Sequence, residues 1–326
     1  MFPKKEILIF HAESAVHAGA EADVGYIDNP IQRERATGFP IFQANGVKGG
    51  LREFFETSPY RDDKKIEVIF GPDETVLPNG GKGWAGAVTF GEGRTLFFPV
   101  RSLAGTFAYI TCSSVLARFQ RDLAACGKSL VETDGPWSPT IGKGSCLVYS
   151  TPIINADDQH VVLEELLFNI SSNPDTAKFI KSAAEHLFPA CPEYKPFSEV
   201  FASRIVVLND TDFSYFVTQR TEIEPHNRID DETGTVDKKT GVWYTEYLPS
   251  ESILYSCVFV GNPRTRNDDT FKKPQEISKY LVNNLEDCRI WMGGNRTTGK
   301  GRMMMHFWGL QQKNTGKKEM EEDEEP

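Results

Sequence analysis

Three side chains of the sequence are candidates for acid–base chemistry. Asp28 lies in GYIDNP, His17 in the small-residue loop VHAGA, and Glu246 in WYTEYLP, close to Tyr244. A carboxylate beside an RNA phosphate can hold a divalent cation or help to deprotonate a ribose 2′-hydroxyl. Asp28 is equally well explained as an Asx-turn residue before proline, and a lone histidine is more often structural. The local sequence leaves both interpretations open.

Cationic residues follow Asp28 and recur near the C-terminus. The first group is Arg33, Arg35, Lys48 and Arg52, and the second is Arg289, Arg296, Lys300 and Arg302. The formal net charge of -10 argues against a general nucleic-acid binder. Affinity for a phosphate backbone depends on local cationic surface more than on total charge, however. The acidic total therefore does not exclude RNA or DNA as a partner.

The glycine-rich segment GGNRTTGKG resembles the phosphate-binding loop of NTPases. That motif needs a Ser or Thr after its lysine and a helix beyond it, whereas Gly301 follows Lys300 here and a strand pattern comes next. Two interpretations remain: a flexible hairpin turn, or a cradle in which close-approaching backbone and cationic side chains bind RNA phosphates. The residues of this predicted cradle are Gly293, Gly294, Arg296, Gly299, Lys300 and Gly301.

The segment NGVKGGLRE predicts the start of a helix near Asn45–Val47, with Asn45 as its cap. Lys48 and Arg52 are then one turn apart on one face. Free amides, the helix dipole and two cations together favour an anion site. A merely solvated helix face explains the pattern equally well.

Hydrophobic periodicity predicts the elements that must position these residues. Strands are expected at 6–10, 95–102, 203–210 and 252–261, helices at 113–127, 175–188 and 274–287, and a long hairpin at about 222–248. This mixed order predicts an α+β fold with ferredoxin-like sheets and large insertions.

Composition limits the class of protein. The 326 residues are 39% hydrophobic, which is enough for a substantial core, and no apolar run approaches the roughly 20 residues of a membrane-spanning helix. The N-terminus lacks a secretory apolar segment. The six scattered cysteines, without a C-x-x-C pair, indicate reduced thiols in a cytoplasmic protein rather than a zinc site. Residues 313–326 form an acidic, low-complexity tail that we expect to be disordered.

Several motifs together resemble one family. The segment from HAGAEADVGYIDNPIQRE to NGVKGGLRE, followed by LFFPVRSLAGTFAYIT, WYTEYLPSESILY and GGNRTTGKG, is similar to the RAMP-superfamily backbone subunits of type III-B CRISPR (Cmr) effector complexes. The likeness runs from about residue 6 to 308. It implies a single RAMP domain over 1–312, with a ferredoxin-like (RRM-like) core. A protruding β-hairpin thumb at about 222–248 and an insertion at about 128–200 would extend this core.

The resemblance also implies a function. Copies of such a subunit stack along a CRISPR RNA beside other Cmr subunits, and each copy cleaves the paired single-stranded target RNA, so that cuts fall at regular intervals. It implies Asp28 as the catalytic acid, with His17 and Glu246 supporting it, and a divalent ion, Mg²⁺ or Mn²⁺, held by Asp28. The thumb would splay one target nucleotide, so that its 2′-hydroxyl lines up with the phosphorus and leaves a 2′,3′-cyclic phosphate.

Two other functions remain open at this stage. A non-catalytic scaffold would coat guide RNA and leave Asp28 as a turn residue. A stand-alone guide-processing RNase would act on repeat RNA without partners. Neither requires a membrane.

Overall fold

The computed structural model describes residues 2–21, 25–59, 61–73, 83–130, 137–149, 153–155, 158–230, 233–237, 241–264 and 270–309. The predicted acidic tail at 313–326 lies outside these residues. The described strands are β1 Lys4–Ala12, β2 Ile41–Phe42, β3 Val88–Phe90, β4 Gly93–Arg101, β5 Phe107–Cys112, β6 Ser145–Val148, β7 His160–Leu163, β8 Leu166–Ile170, β9 Ile205–Leu208, β10 Glu222–Asn227, β11 Val242–Tyr247, β12 Ile253–Val260, β13 Arg289–Trp291 and β14 Arg302–Phe307. The described helices are α1 Ala44–Thr57, α2 Asp63–Phe70, α3 Ser113–Ala125, α4 Thr176–Leu187, α5 Lys195–Phe201, α6 Asp210–Gln219 and α7 Pro274–Leu285.

One large mixed sheet contains most of the strands. Its order is β13-β14-β1-β12-β4-β5-β9-β6-β8-β7, with β2 paired to β4 and β3 paired to β12. The β5–β9 and β6–β8 pairs are parallel, and the other pairs along this order for which a register is given are antiparallel. The α+β class is therefore confirmed.

Strand β1 lies in the interior of the sheet. It pairs with β12 on one side and β14 on the other, and Ile7, Leu8 and Ile9 are completely buried. Consecutive burial means that both faces of the strand are covered, which explains the unbroken apolar run in the sequence. The chain leaves this fixed strand at Ala12 and enters the loop that carries His17.

Strands β10 and β11 form a separate two-stranded antiparallel hairpin. Pro225 faces Tyr244 in this pair. The backbone N–H and carbonyl of Tyr244 both bond to the chain segment on the other edge of β11, so the pair is one of the non-hydrogen-bonded positions of the ladder. The missing N–H of proline therefore costs no bond inside the hairpin.

The predicted helices at 113–127, 175–188 and 274–287 correspond to α3, α4 and α7, and the strands at 6–10, 95–102 and 252–261 to β1, β4 and β12. The strand predicted at 203–210 ends earlier, at Leu208, because the Asn209 side chain accepts from the Thr211 and Asp212 amides and starts α6. The predicted Asn45 cap was wrong. Helix α1 begins at Ala44 after Gln43, no side chain caps it, and Asn45 bonds to the next amide.

All six cysteines are free thiols. Among the described helices, none is both long and apolar enough to cross a bilayer.

Candidate active site

The outer edge of β11 organises the candidate site. On this edge the Asn29 N–H donates to the Tyr244 carbonyl at 3.1 Å, and the Glu246 N–H donates to the Asn29 carbonyl at 3.0 Å. Further along, Val16 and Leu248 exchange two backbone bonds of 2.9 and 2.8 Å. Two parts of the segment that follows β1, both far from β11 in the sequence, thus continue the ladder of β11.

Asp28 is exposed and docks on this edge. The Tyr244 N–H donates to its Oδ2 at 2.7 Å, across 216 residues of sequence. This geometry is not the Asx turn that the local sequence allowed, since the residue two positions on is Pro30, which has no N–H to donate. Within the described part of the chain, nothing bonds to the other oxygen. The carboxylate is therefore fixed by one oxygen and open by the other.

His17 docks on the same edge. Its Nδ1 lies 2.8 Å from the Glu246 carbonyl. Because a carbonyl only accepts, Nδ1 carries the hydrogen, and the neutral ring keeps its lone pair on Nε2. The ring also packs edge-to-face on Tyr247, with centroids 5.7 Å apart.

Glycines surround His17 because larger residues would not fit. A Cβ at Gly19 would lie 2.8 Å from His17 Nε2, and one at Gly293 would lie 2.4 Å from the His17 carbonyl. Gly293 also has a φ of +82°, a conformation that glycine adopts without strain. The Gly294 N–H donates to the His17 carbonyl at 2.9 Å. The glycine-rich loop therefore holds His17 through its backbone.

The spacing of the two anchors follows from strand geometry. Asp28 bonds to Tyr244 and His17 to Glu246, and these are alternate residues whose backbone groups face the same edge. Two residues of extended strand advance about 6.6 Å. The arrangement places an exposed carboxylate and a half-buried imidazole side by side at the base of the hairpin.

Glu246 itself is buried, with 2% of its surface exposed. Its carboxylate accepts from the Ile31 N–H at 3.0 Å and from Thr221 Oγ1 at 2.7 Å, and it forms an ion pair with Arg33. The carboxylate of this predicted catalytic residue is thus already satisfied by three partners. It fixes the segment that follows Asp28 rather than facing solvent beside it.

Arg33 is held in the same network. Its Nη1 donates to the carbonyls of Gly38 and Val217 at 2.8 and 2.9 Å, and its Nη2 contacts Glu246. This predicted RNA-binding residue is therefore engaged inside the protein.

The other predicted RNA-binding cations divide into two groups. Arg52 pairs with Glu56 at 2.7 Å and donates to the Gly71 carbonyl at 3.0 Å. By contrast, no carboxylate in the described ranges lies within ion-pair distance of Lys48, which is half-buried, or Arg35, which is exposed.

The cations of the glycine-rich loop are paired as well. Arg296 forms two bonds of 2.5 and 2.7 Å with Glu53, and its guanidinium keeps the pKa of that carboxyl below the usual value. Lys300 pairs with Glu224 on β10 and lies 4.5 Å from the centre of the Tyr247 ring.

The loop amides offer less of a cradle than the sequence suggested. The amides of Thr298, Gly299 and Lys300 donate to carbonyls inside the loop, and those of Gly294 and Gly301 donate to the His17 loop. A Cβ at Gly301 would lie 2.2 Å from the Met292 carbonyl. Close backbone approach within the protein thus accounts for Gly293 and Gly301.

Tyr247 links the hairpin to the glycine-rich loop, a role that the sequence reasoning missed. Its buried hydroxyl accepts from Asn295 Nδ2 at 2.8 Å and lies 3.2 Å from His226 Nε2. The signal available was an aromatic residue directly after Glu246 in the WYTEYLP motif.

One cluster of metal-ligand types occurs elsewhere among the described residues: Glu286, Asp287 and His306. Its Glu286 carboxylate already pairs with His306 Nδ1 at 2.5 Å and accepts from the Phe307 N–H at 2.8 Å. The cluster is remote in the chain from the Asp28 loop and has its own internal bonds.

Comparison with known proteins identifies the family. Residues 9–304 match the model of the RAMP superfamily. The chain is 34% identical, over 288 residues, to the CRISPR system Cmr endoribonuclease Cmr4 of Pyrococcus furiosus, a match that covers 87% of this chain and 89% of that protein.

Solved structures share the fold. The crystal structure of oligomeric Cmr4 from Pyrococcus furiosus matches with a TM-score of 0.69 and 27% identity, over 95% of this chain and 99% of that one. A chain of the type III-B Cmr-beta complex bound to cognate target RNA matches with a TM-score of 0.70 over 94% of this chain and 98% of that one. Its 18% identity shows the fold alone. The family model and the relative together span most of the sequence, so the chain belongs to the RAMP superfamily and, within it, to the Cmr4 family.

Proposed function

We propose that the chain is the backbone subunit of a type III-B CRISPR ribonucleoprotein. Several copies bind along a CRISPR RNA beside other Cmr subunits, and each copy cleaves the complementary target RNA, so that cuts fall at regular intervals. The name of its relative of 34% identity, an endoribonuclease, supports this proposal. The observation that carries it is the exposed Asp28 carboxylate, fixed by one oxygen at the base of the β10–β11 hairpin.

The hairpin is the proposed thumb. Exposed apolar side chains lie on its paired strands, namely Ile223, Val242 and Tyr244, and continue toward its tip at Ile229 and Val236. Apolar side chains that insert between bases unstack them at a cost of a few kcal/mol per step. A hairpin that splays a target nucleotide at its base would bring that nucleotide to Asp28.

Splaying supplies the geometry that A-form RNA denies. The 2′-hydroxyl must stand in line behind the phosphorus, with the reacting atoms roughly 3–3.5 Å apart. Asp28 then accepts the 2′-hydroxyl proton, the 2′-oxygen forms a bond to phosphorus, and the bond to the 5′-oxygen breaks. The products are a 2′,3′-cyclic phosphate and a 5′-hydroxyl, whose proton comes from water. His17 Nε2 carries the lone pair of the neutral ring and assists proton transfer at the same edge of β11.

A divalent ion, Mg²⁺ or Mn²⁺, fits this donor set. Mg²⁺ is usually held by one or two carboxylates together with substrate phosphates and waters, and the free oxygen of Asp28 offers one such ligand, as the alternative to its role as proton acceptor. When bound, the ion would neutralise charge developing on the phosphate. Glu246 is not a second ligand in this proposal, because its oxygens already serve Ile31, Thr221 and Arg33.

Glu246 acts as a positioning residue in this proposal. It anchors the chain three residues beyond Asp28, and its own carbonyl holds His17. Lys48 and Arg35 are the first candidates for phosphate contacts, since no described carboxylate pairs with them. Arg33, Arg52, Arg296 and Lys300 would have to exchange carboxylate partners for phosphates.

The remaining structural expectations belong to the same proposal. A ferredoxin-like RAMP core over 1–312, an insertion at about 128–200 and a cytoplasmic location suit a guide-RNA filament.

The test is incubation of labelled target RNA with the reconstituted complex, with and without Mg²⁺. Regularly spaced products with 2′,3′-cyclic phosphate ends are expected with Mg²⁺, and Asp28→Ala should abolish them while assembly and target binding persist. Intact target in the presence of Mg²⁺ would instead identify a non-catalytic scaffold. Cleavage of repeat RNA by the isolated chain would identify a guide-processing RNase.

A further inference from the structure

Two cysteines lie close together where helix α3 packs against the sheet. Phe119, Asp122 and Cys126 have the spacing of one helix face. Tyr255 and Cys257 are alternate residues of β12 and share one sheet face. The Tyr255 ring packs on Phe119 at 4.7 Å, and its hydroxyl donates to Asp122 Oδ2 at 2.9 Å.

This alignment places Cys126 over Cys257. Cys126 Sγ lies 3.8 Å from the Glu6 carbonyl, and the next residue of β1, Ile7, is the direct cross-strand partner of Cys257. The side chains of the two cysteines interact, and this interaction shifts the pKa of Cys126 down and that of Cys257 up. The two sulfurs are thus neighbours, although 131 residues separate them in the chain.

Cys126 opens onto a cationic cleft. The cleft has a volume of about 620 Å³, and its lining includes Lys4, Lys5, Cys126 and Lys128. Lys5 Nζ donates to the Ala125 carbonyl at 2.8 Å, and Lys128 Nζ to the Trp308 carbonyl at 2.7 Å. Glu6 also lines the cleft and pairs with Lys128 at 2.9 Å.

The charges favour the thiolate of Cys126. The interaction with Cys257 and the charges of Lys128 and Lys5 lower the pKa of Cys126, although burial and Asp122 act in the opposite direction. Burial raises the pKa of Cys112 and of Cys146 to about 12. Because the thiolate is the reactive form, the cysteines differ in expected reactivity.

We propose that Cys126 and Cys257 form an oxidisable pair in which Cys126 reacts first with hydrogen peroxide and Cys257 then closes a disulfide. The Cys126 thiolate attacks one peroxide oxygen, the O–O bond breaks, and hydroxide leaves, which gives a sulfenic acid. Cys257 loses its proton to hydroxide, and its sulfur displaces the sulfenic hydroxide. The net change is two thiols and one peroxide to one disulfide and two waters.

Closure would tie the end of α3 to β12. Both sulfurs lie against β1, the interior strand of the sheet, so the disulfide would lock the C-terminal turn of α3 and the Lys128 segment in place. This inference does not depend on RNA cleavage, and its test measures covalent chemistry.

The experiment treats the reduced full chain with hydrogen peroxide and maps its peptides without reductant. A peptide joining Cys126 to Cys257 is expected, and dithiothreitol should reverse it. Cys257→Ser should trap the sulfenic acid on Cys126, which a dione reagent labels. Cys126→Ser should give neither product, and Cys288→Ser is the matched control that should behave as the parent chain.

A second measurement guards against variants that fail to fold. In the unmodified parent chain, brief iodoacetamide treatment should alkylate Cys126 before Cys112 and Cys146. The proposal is overturned if the parent chain gives no Cys126–Cys257 peptide, or if alkylation of Cys126 is no faster than that of the two buried thiols.

Discussion

Asp28 and Glu246 are two carboxylates that meet the same strand, β11, in opposite ways. Asp28 is exposed and accepts one backbone bond, and among the described residues no group bonds to its other oxygen. Glu246 is 2% exposed and is satisfied by an amide, a hydroxyl and an arginine. A carboxylate with an open oxygen is available for chemistry, whereas one with a full set of partners stabilises the fold. Residue type alone did not separate these two roles.

The largest expected effect concerns Glu246, the buried carboxylate. Glu246→Gln removes the charge opposite Arg33, and breaking a buried pair costs about 3–5 kcal/mol. We expect that loss in the free energy of unfolding, measured by urea titration of the isolated chain. Glu53→Gln is the control, since its pair with Arg296 is partly exposed and such pairs contribute about 0.2–1 kcal/mol. Equal stability of the two variants would contradict the structural role of Glu246.

A smaller effect is expected when His17 is displaced but not removed. The Cβ of Gly19→Ala would lie 2.8 Å from His17 Nε2, so the ring must shift. A misplacement of about 1 Å can cost about 10²-fold in rate, and we expect target cleavage to slow by roughly tenfold to a hundredfold. Target binding should be unchanged. Gly25→Ala is the matched control because, among the described residues, the atom nearest to its added Cβ is the Ile27 nitrogen, 4.0 Å away. Equal rates for the two variants would show that the His17 position does not matter.

The link between the hairpin and the glycine-rich loop should contribute about 1 kcal/mol. Tyr247→Phe keeps the ring beneath Lys300 but removes the hydroxyl bonded to Asn295 and His226. Loss of one such bond costs about 0.5–1.5 kcal/mol. Unfolding of the variant by urea measures this, with the exposed Tyr244→Phe as control. A Tyr247→Phe variant as stable as the control would show that the Tyr247 hydroxyl does not stabilise the fold.

The smallest expected effect concerns Lys48, which pairs with no carboxylate among the described residues. Lys48→Ala should weaken guide-RNA binding for all sequences alike and reduce the slope of log affinity against log salt by about one. The exposed Lys143→Ala should leave that slope unchanged. An unchanged slope for Lys48→Ala would exclude a phosphate contact there.

Much of the fold could be predicted because its signals lie within short stretches of sequence. The apolar run of β1 and the helical spacing of α3, α4 and α7 are readable without tertiary contacts. The cap that starts α6 was also present, as Asn209 before Asp210-Thr211-Asp212, but the preceding strand was extended over it. Intrinsic secondary-structure propensity does not determine the residue at which one element ends and the next begins.

The candidate site was only partly predictable for the opposite reason. The family resemblance selected Asp28, and its placement depends on a bond to Tyr244, 216 residues away. The pairing of Glu246 with Arg33 spans 213 residues, and that of Lys300 with Glu224 spans 76. Each residue was noticed for its type, but only the folded chain shows which charges neutralise one another.

The most direct test of the central claim is the single-turnover cleavage rate of the Asp28→Asn complex. Asparagine retains an oxygen that accepts the Tyr244 N–H, so the fold, the assembly and the affinity for target RNA should be unchanged. Only the negative charge and its proton affinity are lost. We predict that the rate at every cut falls by about 10²–10⁴-fold, the range that a positioned acid or base supplies. A rate equal to that of the parent complex would contradict the assignment of Asp28 as the catalytic carboxylate.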